Sequence, residues 1–155
     1  MLAPSMQQLT NIQGMQKSLQ DVEPFVSDDS EPVAQALGVL DHAIAIHQSW
    51  KQQLLAAVTA KDQLDVTTIQ RDDCCVLGQW IHGAGCRQIY GSSPDFVGLL
   101  KRHKEFHVVA GIVATAINGG EYANAEKMLG ERTQFAYASI DVSVAIMKLK
   151  MSVAG

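Results

Sequence analysis

The sequence predicts an all-α protein: an antiparallel four-helix bundle with a short additional helix that carries a cysteine, and a helical extension at the N-terminus. Apolar residues recur at intervals of three and four along most of the 155 residues, which is the spacing of one helix face. We find no stretch with the alternation of a β-strand and no internal repeat. Long helical patterns with short connectors are typical of a helical bundle.

The first element is predicted as an amphipathic helix in residues 2–23, which are otherwise mostly Gln, Ser, Asn and Thr. Its apolar stripe consists of Leu2, Met6, Leu9, Ile12, Met15, Leu19 and Val22. One stripe on a polar helix cannot fold alone, so we expect it to pack on a partner. Residues 23–32 hold two prolines and several acidic residues and are interpreted as a linker. The predicted division is an N-terminal helix and linker in residues 1–31 and a bundle in residues 32–155.

The helices of the bundle follow from their apolar stripes and from their start and stop signals. Ser30 is a candidate N-cap for the first of them, with Pro32 in its first turn. Asp72 and Asp73 could cap the short helix, and glycine turns end both this helix and the long one after it. The predicted helices cover about residues 32–60, 75–81, 94–118 and 121–151.

Composition excludes several classes of function. Acidic residues outnumber basic ones by 16 to 12 without any Lys/Arg cluster, which argues against a nucleic-acid partner. The longest nearly apolar run, Val108–Ile117, is about half of the roughly 20 residues that a membrane-spanning helix needs. The first residues lack the features of a signal peptide, so we expect a cytoplasmic protein. Three cysteines, of which Cys74 and Cys75 are adjacent, indicate thiol or metal chemistry and not a disulfide framework.

His103 and His107 lie four residues apart on a predicted helix, so both imidazoles share one face and are close enough to bind one ion. This spacing recurs in zinc sites, although it also arises in pairs of exposed or core histidines. The neighbours Leu99 and Phe106 indicate an inward face, where an imidazole without a hydrogen bond or a metal costs free energy. Because Lys104 follows His103, the pair does not match the His-Glu-x-x-His pattern of zinc peptidases.

Cys75 begins the short predicted helix, where the helix dipole favours the thiolate and should lower the thiol pKa. The thiolate is the form that binds zinc and the form that oxidants attack. The alternative interpretation of Cys75 is a small apolar residue on a buried face. Cys74 must point elsewhere on the helix, and Cys86 is interpreted as structural. His47 lies on an apolar stripe and, taken alone, is typical of a buried core histidine.

Three motifs occur together and in a fixed order: His-x-x-Trp-Lys at 47–51, Asp-x-x-Cys-x-Leu-Gly-x-Trp at 72–80 and His-x-x-x-His at 103–107. By these motifs the chain resembles the chemoreceptor zinc-binding (CZB) domain family of bacteria over about residues 38–150. The resemblance implies a four-helix bundle with a short cysteine-bearing helix, usually paired as a homodimer. It also implies that Zn²⁺ is bound by three histidines and one cysteine, which here are His47, Cys75, His103 and His107.

The implied site has four protein ligands and no open position for a substrate or a reactive water, so no catalytic residue is expected. Asp72 and Asp73 are candidate acceptors of a hydrogen bond from a ligand histidine. The resemblance implies a sensor that responds to zinc availability or to oxidation of Cys75, for example by hypochlorous acid. In this family such domains regulate chemoreceptors or diguanylate cyclases, and hence chemotaxis or cyclic-di-GMP synthesis. Because the sequence shows neither output domain, we expect a partner in trans.

Two other classes stay open at this point. An enzyme on the same bundle would be a metal-dependent hydrolase or a redox enzyme that uses Cys75. A hydrolase needs an open coordination position and a carboxylate base, and a thiol peroxidase usually needs a resolving cysteine, for which Cys74 is poorly placed. A di-iron bundle needs Glu-x-x-His pairs, which the sequence lacks. Haem bound through His47 or His103 would leave Cys75 without a role.

Overall fold

The computed structural model describes residues 31–155, and these residues form seven helices and no strand. The helices are α1 (Glu31–Ala60), α2 (Val66–Ile69), α3 (Val76–Ile81), α4 (Ala84–Tyr90), α5 (Pro94–Asn118), α6 (Tyr122–Met128) and α7 (Gln134–Ala154). The predicted all-α class is therefore confirmed. None of these seven helices combines the length and the apolar character needed to cross a membrane. The amphipathic helix predicted in residues 2–23 lies outside the described residues.

The three long helices pack around one another, and the short helices fill the remaining side of the bundle. Helix α7 packs against both α1 and α5, whereas α2 packs on α5 and α3 packs on α1. Helix α7 is antiparallel to the other two, because Lys150 near its end pairs with Asp41 of α1. At the same end, the hydroxyl of Ser152 donates a hydrogen bond to Asp95 at the start of α5.

The interior of the bundle is a single apolar cluster with a small polar region inside it. Its largest fully buried hydrophobic side chains are Phe96, Phe106, Leu40, Leu54, Leu77, Ile81, Leu99, Ile117, Leu129, Ile146 and Leu149. His47, His103 and His107 are also buried in this core. A buried imidazole is stabilised only if its ring nitrogens have partners. The region that carries chemistry is therefore in the core and not in a surface cleft.

The single helix predicted over residues 121–151 is wrong, because the chain forms two helices there. Helix α6 ends at Met128, and four residues later Arg132 has a φ of 61°. A residue in this left-handed region cannot continue a right-handed helix. Helix α7 then begins after Thr133, whose hydroxyl accepts a hydrogen bond from the backbone N–H of Ala136. The break separates α6 from the long helix that packs on α1 and α5.

Candidate metal centre

Helix α5 supplies two histidines to the polar region of the core. His103 and His107 are one turn apart and both are buried, and their Nε2 atoms lie 3.0 Å from each other. The helix is continuous through this turn, so the two rings project from one face as the i, i+4 spacing predicts. Two imidazole nitrogens at this separation form either a hydrogen bond or two corners of a metal site.

Cys75 joins the histidine pair from the start of α3. It is the N-cap of that helix, and its sulfur accepts a hydrogen bond from the backbone N–H of Gly78 at 3.3 Å. The same sulfur lies 3.3 Å from Nε2 of His103 and 3.7 Å from Nε2 of His107. The helix therefore begins with its cap atom directed at the two imidazoles of α5.

His47 completes the cluster from α1. Its Nδ1 donates to the backbone carbonyl of Ala43 at 2.8 Å, one turn earlier on the same helix. Its Nε2 is buried and has no hydrogen-bond partner within residues 31–155. The ring centroid of His47 lies 5.1 Å from that of His103 and 5.6 Å from that of His107. The unpartnered Nε2 of His47 is thus available as a ligand beside Cys75, His103 and His107.

The ring of His107 is oriented by a carbonyl from α2. Its Nδ1 donates to the backbone oxygen of Ile69 at 2.9 Å, which leaves the Nε2 lone pair directed into the cluster. The close approach depends on Gly111, because a Cβ there would lie 2.8 Å from Cβ of Gln70. His103 has no such acceptor, since its buried Nδ1 lacks a hydrogen-bond partner in the described part of the chain.

The four side chains fit a tetrahedral metal ion. Their ligand atoms all lie within 4.8 Å of one another. A zinc ion with Zn–N of 2.0–2.1 Å and Zn–S of 2.3 Å separates two nitrogens by about 3.3 Å and a nitrogen from the sulfur by about 3.6 Å. The distances of 3.0, 3.3 and 3.7 Å among Cys75, His103 and His107 are close to these values. The unpartnered Nε2 of His47 supplies the fourth corner.

Burial sets the protonation of all four groups. It lowers the pKa of His47 to about 3, and it also lowers the pKa of His103 and of His107. The three imidazoles are therefore neutral at pH 7, as metal ligands must be. The lowered pKa expected for the Cys75 thiol is wrong for the metal-free chain, because burial raises it to about 12 despite hydrogen bonds to backbone N–H groups. Metal binding at neutral pH would displace about one proton, from this thiol.

Comparison with known proteins identifies the segment that contains the cluster. Residues 47–114 match the family model described as "Chemoreceptor zinc-binding domain". The match begins at His47 and includes the other three residues of the cluster. This segment is therefore similar to the chemoreceptor zinc-binding domain family. No curated protein and no solved structure gave a significant match to the chain. Zinc is the metal of this family, and three imidazoles with one thiol are a donor set that suits it.

Aromatic rings surround the cluster in this zinc-binding domain. Phe106 directly precedes His107 on α5, and its ring contacts the ring of His47 edge-on, with centroids 5.1 Å apart. Trp50, one turn after His47, contacts the ring of His107 at 5.9 Å. Phe135 of α7 packs on Phe106 at 5.6 Å. These rings exclude water from the site. They also connect the site to α7, a role that neither the motif spacing nor the helical periodicity had indicated.

The two acidic residues that precede the cysteines have partners other than a clustered histidine. Asp72 lies 3.1 Å from Nε2 of His82, and Asp73 accepts two hydrogen bonds from Arg71, at 2.9 and 3.0 Å. Neither caps α3, because Cys75 does so itself. Both carboxylates still act on the cluster at longer range, since their negative charge favours the protonated form of His107. Their contacts fix the loop that delivers the cysteine.

The remaining candidate residues lie outside the cluster. Cys74 is half-buried and Cys86 is a buried residue of α4, and neither shares the site. His42 is exposed on α1, and His82 is half-buried. Sequence reasoning missed the two carbonyl acceptors, at Ala43 and Ile69. The first is the ordinary i−4 carbonyl of a helical histidine, whereas the second comes from α2, a four-residue helix that no sequence signal had indicated.

Proposed function

We propose that His47, Cys75, His103 and His107 are the ligands of one zinc ion in a closed site. The observation that carries this proposal is the convergence of four buried ligand atoms within 4.8 Å, a cluster to which no carboxylate of residues 31–155 belongs. When bound, Zn²⁺ would supply the positive charge that keeps the Cys75 sulfur deprotonated, giving a site of net charge about +1. The ligands come from α1, α5 and the start of α3, so the site would link three parts of the bundle.

The same four ligands argue for regulation and against catalysis. A hydrolytic site needs an open position for water and a carboxylate base beside it. In this proposal four side chains, each at most 2% exposed, would fill the coordination sphere. The nearest acidic residues along the chain, Asp72 and Asp73, are paired with His82 and Arg71. A thiol enzyme would need space for an organic substrate beside Cys75, and the sulfur of Cys75 is buried in the core.

The switch in this proposal is the short cysteine-bearing segment. Helix α3 has six residues, and the Cys75 sulfur ties its first turn to α5. Hypochlorous acid would transfer its OH to the thiolate sulfur and release chloride, which converts a ligand into a sulfenic acid. Removal of the sulfur from the cluster, by oxidation or by loss of zinc, would free α3 to adopt another position. A change of ligand state would thus become a change of helix packing.

The proposed output is made through a partner. A chemoreceptor is one candidate partner, and the name of the matching family supports it. A diguanylate cyclase is the other candidate, and it is suggested by the resemblance described above. The regulated process would be chemotaxis in the first case and cyclic-di-GMP synthesis in the second. The protein would act in the cytoplasm as a homodimer. In this proposal residues 1–31 are an added helix and linker, and residues 32–155 are the sensing domain.

Affinity capture from cells tests the sensing role. Wild-type protein and Cys75→Ser are used as baits in zinc-replete and in chelated cells. We expect a partner that wild type captures in only one zinc state, and that Cys75→Ser captures in the same way whether zinc is present or absent. Cys74→Ser is the matched control, because this neighbouring thiol lies outside the cluster and should behave as wild type. Identical captures by all baits in both conditions would contradict a zinc-dependent output.

A further inference from the structure

We infer that His82 is a positioning residue that restrains Cys75. Its ring connects Asp72, at the start of the loop that carries Cys75, to Arg87 of α4. The side chains of Asp72, His82 and Arg87 are called here the loop clamp. The loop clamp slows the departure of the Cys75 sulfur from the cluster, and it thereby sets how fast zinc is released and how fast the thiol is attacked. The zinc part of this inference rests on the proposed function, whereas the restraint on Cys75 does not.

His82 lies at the end of α3 and contacts the loop that leads into the same helix. Its Nε2 is 3.1 Å from Oδ2 of Asp72, which is ten positions earlier in the chain. His82 is also the C-cap of α3, and its backbone N–H donates to the carbonyl of Gly78. The residue that ends this six-residue helix therefore holds the loop from which the helix begins.

Arg87 fixes the tautomer of the His82 ring. Its Nη2 lies 3.3 Å from Nδ1 of His82. A guanidinium group only donates hydrogen bonds, so Nδ1 is the acceptor and the neutral ring carries its hydrogen on Nε2. This Nε2 then donates to the carboxylate of Asp72. Every donor in the loop clamp meets an acceptor, and the contacts run from a cation through a neutral ring to an anion.

Asp72 is held at two points, so the path of the loop depends on it. Its backbone oxygen packs so closely on α3 that a Cβ at Gly78 would lie 2.0 Å from it. Its carboxylate is held by His82. Three residue steps separate Asp72 from Cys75, and they span at most about 11 Å. A loop released at Asp72 therefore leaves the Cys75 sulfur free to move away from the imidazoles.

The contact between His82 and Asp72 is partly shielded from water. The His82 side chain is 29% exposed and the Asp72 side chain is 23% exposed. A hydrogen bond to a charged group in such a setting commonly changes an equilibrium by about 10-fold or more. The neighbouring ion pair of Arg71 with Asp73 is about half exposed, and exposed ion pairs contribute little. Of these two contacts, the one made by His82 is therefore the one that restrains the loop.

Alkylation of the full-length protein, freed of metal by chelation, tests the restraint on Cys75. Iodoacetamide labelling is followed by mass spectrometry, and the buried Cys86 reports general unfolding. His82→Leu has neither donor nor acceptor in its side chain and should raise the labelling rate of Cys75 about 10-fold. His82→Gln keeps an N–H donor for Asp72 and should label at nearly the wild-type rate. His42→Leu changes an exposed histidine of α1 and is the matched control.

Two further measurements test the route and the link to zinc. Because His82 acts through Asp72, Asp72→Ala should raise the labelling rate by a similar factor, and combining it with His82→Leu should add nothing further. In the zinc-loaded protein, His82→Leu should speed the transfer of zinc to a chromogenic chelator about 10-fold. A wild-type protein that binds no zinc would contradict the proposed function, and the labelling of Cys75 would still test the restraint.

Three outcomes would overturn the inference. The first is an unchanged labelling rate of Cys75 in His82→Leu. The second is an equal rise at Cys75 and Cys86, which would indicate general unfolding. The third is an equal rise in His82→Leu and His82→Gln, which would show that the hydrogen bond to Asp72 is not what holds the loop. A rise that is confined to Cys75 and absent from His82→Gln supports the loop clamp.

Discussion

Cys75→Ala and His103→Ala should each purify with far less zinc than wild type, which should carry about one zinc per chain. Each change removes one of four ligands and leaves an open or distorted coordination sphere. Loss of a supporting hydrogen bond alone commonly costs 10- to 100-fold in metal affinity, so loss of a ligand should cost more than roughly 100-fold. The measurement is zinc content after dialysis, followed by competition with a chelator of known affinity.

Two controls separate a lost ligand from a damaged fold. Cys74→Ala and His42→Ala change the same residue types outside the cluster and should keep wild-type zinc content. Unfolding in the presence and absence of a chelator adds a second readout. At free zinc 1,000-fold above Kd, binding stabilises the folded state by about 4 kcal/mol. Chelation should therefore destabilise wild type and have little effect on Cys75→Ala. Full zinc retention by Cys75→Ala and by His103→Ala would exclude the ligand assignment.

Gly78→Ala should destabilise the domain and weaken zinc binding together. A Cβ at this position would lie 2.0 Å from the backbone oxygen of Asp72 and 3.0 Å from Cα of Asp73. Backbone atoms cannot rotate away as a side chain can, so the loop that carries Cys75 must move. We expect a loss of about 1–3 kcal/mol in the free energy of unfolding and a fall of about 10- to 100-fold in zinc affinity.

Gly98→Ala is the matched control for this prediction. Gly98 lies in α5, and an added Cβ there meets nothing within 4 Å. Alanine in a helix interior is about 0.5–1 kcal/mol more favourable than glycine, so the control should be slightly stabilised. Denaturant unfolding and zinc competition are measured on both variants. If Gly78→Ala matched Gly98→Ala in both, the close contact between α3 and the Asp72 loop would have no energetic consequence.

The long helices were predictable because local signals define them. Pro94 and the stripe that follows it predict α5, and the helical stripe up to Ala60 predicts α1. The break before α7 was not predicted. Gly130 and Thr133 are residues that often end and begin helices, but neither alone predicts a break. The break depends on the positive φ of Arg132, and an arginine in the sequence does not indicate a left-handed backbone.

The candidate site was predictable in its membership but not in its electrostatics. Motif resemblance brought together His47, Cys75 and the α5 pair, which no single spacing could have done. The protonation of Cys75 was predicted with the wrong sign, because the dipole argument considers the helix alone. In the fold the sulfur is buried in the core, and this loss of solvation raises the thiol pKa more than the hydrogen bonds from backbone N–H groups lower it. Contacts such as that between Asp72 and His82 depend on tertiary packing in the same way.

X-ray absorption at the zinc edge of the purified wild-type protein tests the central claim most directly. A closed site formed by His47, Cys75, His103 and His107 predicts one sulfur at about 2.3 Å and three nitrogens at about 2.0–2.1 Å, with four ligands in total. The sulfur contribution should vanish in Cys75→Ala. A spectrum that requires a coordinated water in place of one histidine or of the cysteine would contradict the closed site and favour an enzyme.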